Sequence, residues 1–310
     1  MRAMTIEMRK AEHIDKAAME SEKLLVEIVP DDGGRLSRLY DKSHDCELIW
    51  SNPRTADTRR YYNCNYDDLS ASGIEEAFPT VQPCTVGDAN LPFFGEIWTL
   101  PWQSKMIEDD AGAGILLSCM SPVYPAKISK AYRIDDEYTL TADYCIENIG
   151  TLPFKYIFGV HPSLHIYPGS CLYCPEGEYE IYTAFPQQEM VGRRFSWPVC
   201  KEIDFSKALS KDSKSYFSFV GMPAAGAVYG VTHPKKGTGL QISFDHKYFR
   251  CISLWPLYGM PRGLHCIMTE VFTAWPAALH EAIKNGGAYT LNAGESVSTR
   301  VTYTVTPAGN

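Results

Sequence analysis

SVSTRVTYTV, residues Ser296–Val305, alternates with a period of two. Val297, Val301, Tyr303 and Val305 fall on one face and Ser298, Arg300 and Thr302 on the other, as in a half-buried antiparallel strand. Outward from it, similar short runs recur at Lys23–Val29, Arg35–Tyr40, Cys46–Trp50, Ile115–Cys119, Ala126–Ile134, Tyr138–Glu147 and Phe154–Val160. More follow at Tyr216–Val220, Ala227–Thr232, Leu240–Ser243, Cys251–Trp255 and Ile267–Phe272. Asp31-Asp32-Gly33-Gly34 and Asn148-Ile149-Gly150 read as turns. Helical signals are confined to Ile14–Lys23, Ala277–Lys284 and a short turn at Phe205–Ser210. This pattern predicts an all-β chain built as two packed antiparallel sheets or a closed barrel. No repeat, linker or shift in composition divides the 310 residues. A single domain over 1–310 is therefore expected, with residues 1–22 peripheral.

The charge balance is acidic: 29 Lys and Arg against 37 Asp and Glu give a net charge of -8. Arg59-Arg60 and Lys235-Lys236 are isolated basic pairs that read as solvated surface, which argues against nucleic acid as a partner. The apolar runs fall far short of the roughly 20 residues of a spanning helix, which argues against a membrane. Residues 1–23 carry charges throughout and no apolar core, unlike a secretory signal. The ten cysteines are scattered, several within apolar runs, and read as buried reduced thiols. A reducing cytoplasm is the expected location. Cys171 and Cys174 form a lone CxxC with no second pair to complete a zinc site.

Chemistry is expected where polar residues interrupt aromatic strands. Glu75 and Glu76 precede Phe78-Pro79, either as a solvated turn or as site carboxylates. Glu96 and Trp98 lie in an aromatic stretch that suits either a sugar-lining wall or a packed core. His161, between Val160 and Pro162, is expected at a strand end or edge, where its imidazole can exchange protons near neutrality. His165 shares its face four residues on. Two histidines could chelate a metal, but no third ligand is evident. A catalytic His161 beside a structural His165 is the functional reading. Glu270 lies in the apolar strand His265–Phe272, where desolvation would raise its pKa and suit it to general-base work.

Together these segments resemble the aldose 1-epimerase (galactose mutarotase) family. The resemblance rests on GGRLSRLYDKSHDCELIW (33–50), SGIEEAFPTVQPC (72–84), FFGEIWTLPW (93–102), ENIGTLPFKYIFGVHPSLHI (147–166), HCIMTEVFTAWPAAL (265–279) and LNAGESVSTRVTYTV (291–305). They run in the family's order over nearly the whole chain. The resemblance implies a large antiparallel β-sandwich, the galactose mutarotase-like supersandwich. It also implies a site in which His161 is the general acid and Glu270 the general base for opening and reclosing a sugar ring, with no cofactor and no metal. Glu75, Glu76, Phe94, Glu96, Trp98 and His265 are then the substrate-binding residues. The implied partner is a small-molecule carbohydrate; the oligomeric state is not implied.

The chain departs from the family's pattern at Phe94, which stands where the family has a histidine before Gly-Glu, and at Val271, where it has a proline. The expected acid–base pair is retained while the sugar contacts are altered. Two alternatives follow. One is a non-catalytic carbohydrate-binding protein on the same fold, which Phe93-Phe94 favours. The other is a hexose-phosphate 1-epimerase, for which Arg59, Arg60 and Arg262 would have to supply a cationic pocket.

Overall fold

The alternation at Ser296–Val305 is realised as strand Ser296–Pro307, whose Val301, Tyr303 and Val305 are buried. It lies inside an eight-stranded sheet, paired on one side with strand Thr238–Phe244 and on the other with strand Thr139–Asn148. The full order of this sheet is Cys171–Tyr173, Val228–His233, Thr238–Phe244, Ser296–Pro307, Thr139–Asn148, Ala126–Ile134, Gly112–Met120 and Gln103–Asp109. The computed structural model describes residues 4–10, 13–70, 72–222 and 227–307.

A twelve-stranded antiparallel sheet packs against it. Its order is Thr5–Arg9, Lys16–Glu20, Leu24–Val29, Arg35–Asp41, Ile74–Ala77, Gly159–Leu164, His265–Phe272, Cys251–Tyr258, Ser215–Gly221, Glu178–Phe185 and Arg194–Ser196, with Cys46–Glu47 beside Arg35–Asp41. Both sheets are open, so the all-β expectation resolves to a sandwich and not a closed barrel. Val26, Ile28, Leu36 and Val160 from the large sheet meet Ile128, Leu140, Ile242 and Val301 from the small one in a shared core. Each such side chain, fully buried, contributes about 1.5–3 kcal/mol.

Three local expectations are corrected. Ile14–Lys23 is not a helix: Lys16–Glu20 is a strand, paired on both sides by Thr5–Arg9 and Leu24–Val29. Ladder hydrogen bonds on two edges, with Ala17 and Met19 in the core, override the helical preference of an Ala-Ala-Met run. The turn expected at Phe205–Ser210 forms instead at Lys211–Ser213, because the Ser210 side chain caps it by accepting from the Asp212 amide. His161 is not at a strand end or sheet edge, because its strand Gly159–Leu164 is central. Pro162 is accommodated by a gap in the ladder to His265–Phe272. That ladder pairs Val160 with Val271 and resumes at Ser163 with Met268. The helix expected at Ala277–Lys284 forms over Leu279–Lys284.

Candidate active site

One transverse row of side chains crosses the outer face of the large sheet. Glu75 pairs with His161, and Glu270 pairs with Ser253. The register on either side of the ladder gap sets His161 opposite Glu270. Leu36 opposite Ile74 likewise sets Arg35 beside Glu75. Directly opposed residues carry Cβ atoms about 4.5–5.5 Å apart, so His161 and Glu270 can reach one small ligand. Gly159 makes the space: a Cβ there would stand 3.0 Å from Glu270 Oε1.

His161 and Glu270 are each only 5% exposed. Glu270 Oε1 is buried without a hydrogen-bond partner. Burial pushes the Glu270 carboxyl up to about 8. Burial also pushes the His161 imidazole down, to about 3. Both shifts have the same cause, loss of water around the charged form. At neutral pH the pair therefore holds one proton, on Glu270, and His161 is free to accept one. The ion-pair form, with the proton on His161, has the same proton count.

Buried charges brace this row from beneath. Arg60 Nε donates to Asp32 Oδ1 at 2.9 Å and Arg60 Nη1 donates to Glu75 Oε1. Arg35 Nε donates to Asp32 Oδ2 at 3.1 Å. Burial raises the Asp32 carboxyl, but the guanidiniums of Arg60 and Arg35 outweigh it and hold the group below its ordinary value. Arg60 is therefore not solvated surface, as an isolated basic pair suggested. Its charge is satisfied by two buried carboxylates.

Aromatic rings cover the row. Tyr66 opens the helical turn Tyr66–Leu69, capped by Asn65. Its hydroxyl donates to Glu75 Oε2 at 3.2 Å and lies 3.5 Å from His161 Nδ1. Burial and the Glu75 carboxylate push the Tyr66 phenol well above its usual range, so it remains a donor. Its ring stacks on Phe94 at 4.9 Å, and Phe94 meets the His161 ring edge-on at 4.9 Å. Phe94 has φ +64, a left-handed conformation that is uncommon for a bulky residue. Gly95 follows with φ +68, where a Cβ would collide with the Phe78 carbonyl. This turn aims the Phe94 ring at His161.

The other residues expected in the site are divided. Trp98 is buried behind the row, with Arg60 4.9 Å from its ring and Tyr66 5.1 Å away. Glu96 is engaged by Ser121 and by Tyr62, whose hydroxyl donates at 3.1 Å, and has no bond to His161 or Glu270. Glu76 is not with Glu75. It points between the sheets, where Lys130 Nζ lies 2.5 Å away and Tyr144 donates at 2.9 Å. Adjacent strand residues face opposite ways, so only one of the two acids can join the row. His265 sits at the start of its strand beside the Leu209 carbonyl, 3.2 Å from Nε2, and not in the row. Tyr66, Arg35 and Asp32 were not singled out from the sequence; no local pattern distinguishes them from turn and surface residues.

Among the described residues no group of three or more His, Cys, Asp and Glu is arranged to hold a metal ion. Among them, too, no helix is long and apolar enough to cross a membrane. A broad hollow of about 810 Å³ lies over the eight-stranded sheet, lined by Asp143, Arg300 and small polar residues, and shares nothing with the row.

No protein-family model matches the sequence, and no curated protein sequence matches it. Solved structures match it in fold. A galactose mutarotase-like protein from Clostridium acetobutylicum is similar with a TM-score of 0.71 at 13% identity, over 98% of this chain and 99% of that one. One from Lactobacillus casei has a TM-score of 0.64 at 14% identity, over 94% and 100%. An aldose epimerase homologue from C. elegans has a TM-score of 0.65 at 12% identity, over 99% and 100%. At these identities the likeness is one of fold: the chain has the all-β galactose mutarotase-like architecture.

Proposed function

We propose that the protein is an aldose 1-epimerase-type isomerase that interconverts the anomers of a sugar. The observation that carries this reading is the opposition of His161 and Glu270 over Gly159, with an unpartnered carboxyl oxygen on Glu270. One member of the pair removes the proton of the anomeric hydroxyl while the other protonates the ring oxygen. The C1–O5 bond breaks, the open-chain aldehyde rotates about C1–C2, and the same groups reverse the transfer on closure. No electrons leave the sugar, and each proton removed is matched by one supplied. The family resemblance assigns the acid to His161 and the base to Glu270; the pair with a single proton can supply either assignment, because the two forms have the same proton count.

Anomer exchange measured by NMR on a panel of free aldoses tests the reading. His161→Ala and Glu270→Gln are each expected to lower kcat/KM by roughly 10²–10⁴. Sugar binding without any acceleration of exchange would sink it. That outcome would favour a non-catalytic sugar-binding protein, the reading supported by the Tyr66 and Phe94 rings over His161. A hexose phosphate draws no support from Arg60 or Arg262. Arg60 is committed to Asp32 and Glu75, and Arg262 Nη1 to Asp68 Oδ1 at 2.6 Å.

A further inference from the structure

Strand Cys251–Tyr258 is central in the large sheet, yet one of its residues, Trp255, is 36% exposed while the rest are buried. Ile252 and Leu254 belong to the core, so Ser253 and Trp255 face outward with His161 and Glu270. Ser253 is directly opposite Glu270, and Trp255 is opposite Met268. Trp255 is therefore the diagonal neighbour of Glu270, about 7–8 Å away, a separation that an aromatic side chain spans. No residue of either strand stands between them. The Tyr66 and Phe94 rings lie on the His161 side of the row. Away from them the outer face opens: Met268 is half-buried and Trp255 exposed. Trp98, Trp102, Trp197 and Trp275 each have a ring or a cation against them, whereas Trp255 has neither among the described residues.

An uncovered indole beside an acid–base pair offers a flat apolar seat for a ring that carries C–H bonds on one side. Further along the same row Glu180 is paired with Arg194 at 3.1 Å, so this flank does not select for a charged sugar. In the usual chair of a D-hexopyranose the axial positions at C2 and C4 lie on one face and those at C1, C3 and C5 on the other. Anomer exchange swaps the axial substituent at C1, so the C2/C4 face is the one that stays the same in both anomers. We propose that Trp255 is a specificity-determining residue, a platform that seats the C2/C4 face of an uncharged pyranose while its anomeric centre lies between His161 and Glu270. A sugar with an axial hydroxyl on that face, at C2 as in mannose or at C4 as in galactose, is lifted off the indole. Glucose, and allose with its axial hydroxyl on the other face, are seated. This deepens the epimerase reading and rests on it for the chemistry, though not for the binding.

The test measures anomer exchange by NMR for D-glucose, D-allose, D-galactose and D-mannose with the full-length protein. Glucose and allose should show kcat/KM at least about tenfold above galactose and mannose. Trp255→Ala should lower kcat/KM for the favoured pair by a similar factor, mainly through KM, and abolish the preference; Trp255→Phe, which keeps a ring, should retain most of both. Circular dichroism melting identifies a variant that fails to fold, and Trp255→Leu, which keeps apolar bulk without a ring, then carries the same expectation. Galactose or mannose handled as well as glucose, or an equal loss for all four sugars in Trp255→Ala, would overturn the platform. Calorimetric binding of methyl β-D-glucopyranoside and methyl β-D-galactopyranoside, whose rings cannot open, separates the two claims. A preference for the glucoside that depends on Trp255, without any exchange of free sugars, keeps the platform and removes the epimerase reading. Exchange that ignores Trp255 removes the platform and keeps the epimerase reading.

Discussion

His161 and Glu270 gain their properties from burial and not from a charged neighbour, and pH exposes this directly. Below about 3 both His161 and Glu270 hold protons, and above about 8 neither does; in either state the pair cannot both give and take a proton. The rate of anomer exchange should follow a bell between those limbs, and the residual rate of Glu270→Gln should lack the alkaline limb. Stability follows the same groups. Glu270 has a raised pKa, so its contribution is present below its ordinary value of 4.5 and is lost as pH rises through about 8. His161 has a lowered pKa, so its contribution is present above its ordinary value of 6.5 and is lost as pH falls through about 3. Thermal melts of Glu270→Gln should therefore lose less stability than the wild type between pH 6.5 and 8. An unchanged slope would show that Glu270 is solvated. Gly159→Ala should displace the Glu270 carboxylate and lower kcat with little change in the melting temperature.

The helical turn Tyr66–Leu69 is the element that lays the Tyr66 ring beside His161. It is tied to the turn after strand Cys251–Tyr258 by Arg262, whose Nη1 meets Asp68 at 2.6 Å. That pair is exposed, and exposed pairs contribute about 0.2–1 kcal/mol. Arg262→Ala should thus speed sugar association by no more than about fivefold in stopped-flow measurements, the factor that the upper end of this range corresponds to. Association unaltered by the substitution would mean that the turn does not gate entry. The sequence made the strands legible because a period of two survives in Ser296–Val305 and in its neighbours. It did not make this turn legible, since a four-residue helix has no periodicity to read and Tyr66 is held by Phe94, a residue distant in the chain. His161 and Glu270 were legible as polar residues in apolar strands. Their opposition was not, because register across strands is a property of pairing and not of either segment.

At the scale of the molecule, Glu76 with Lys130 and Tyr144 ties the two sheets together. Removal of one partner from such a buried pair costs about 3–5 kcal/mol, whereas its replacement by apolar residues is often neutral. Urea unfolding should show Glu76→Ala strongly destabilised and the double variant Glu76→Leu, Lys130→Met near the wild type. Equal losses in both would show the pair to be stabilising in its own right. The sandwich also has a boundary to protect. Strand Leu24–Val29, LLVEIV, is apolar and branched, and Lys16–Glu20 and Thr5–Arg9 lie outside it. The outermost strand is short and charged, with Glu7 exposed and Arg9 Nη2 paired to Glu20 at 3.0 Å. A chain that lacked those two strands would offer LLVEIV as an open template to its own copies, and self-assembly into fibrils is the expected outcome.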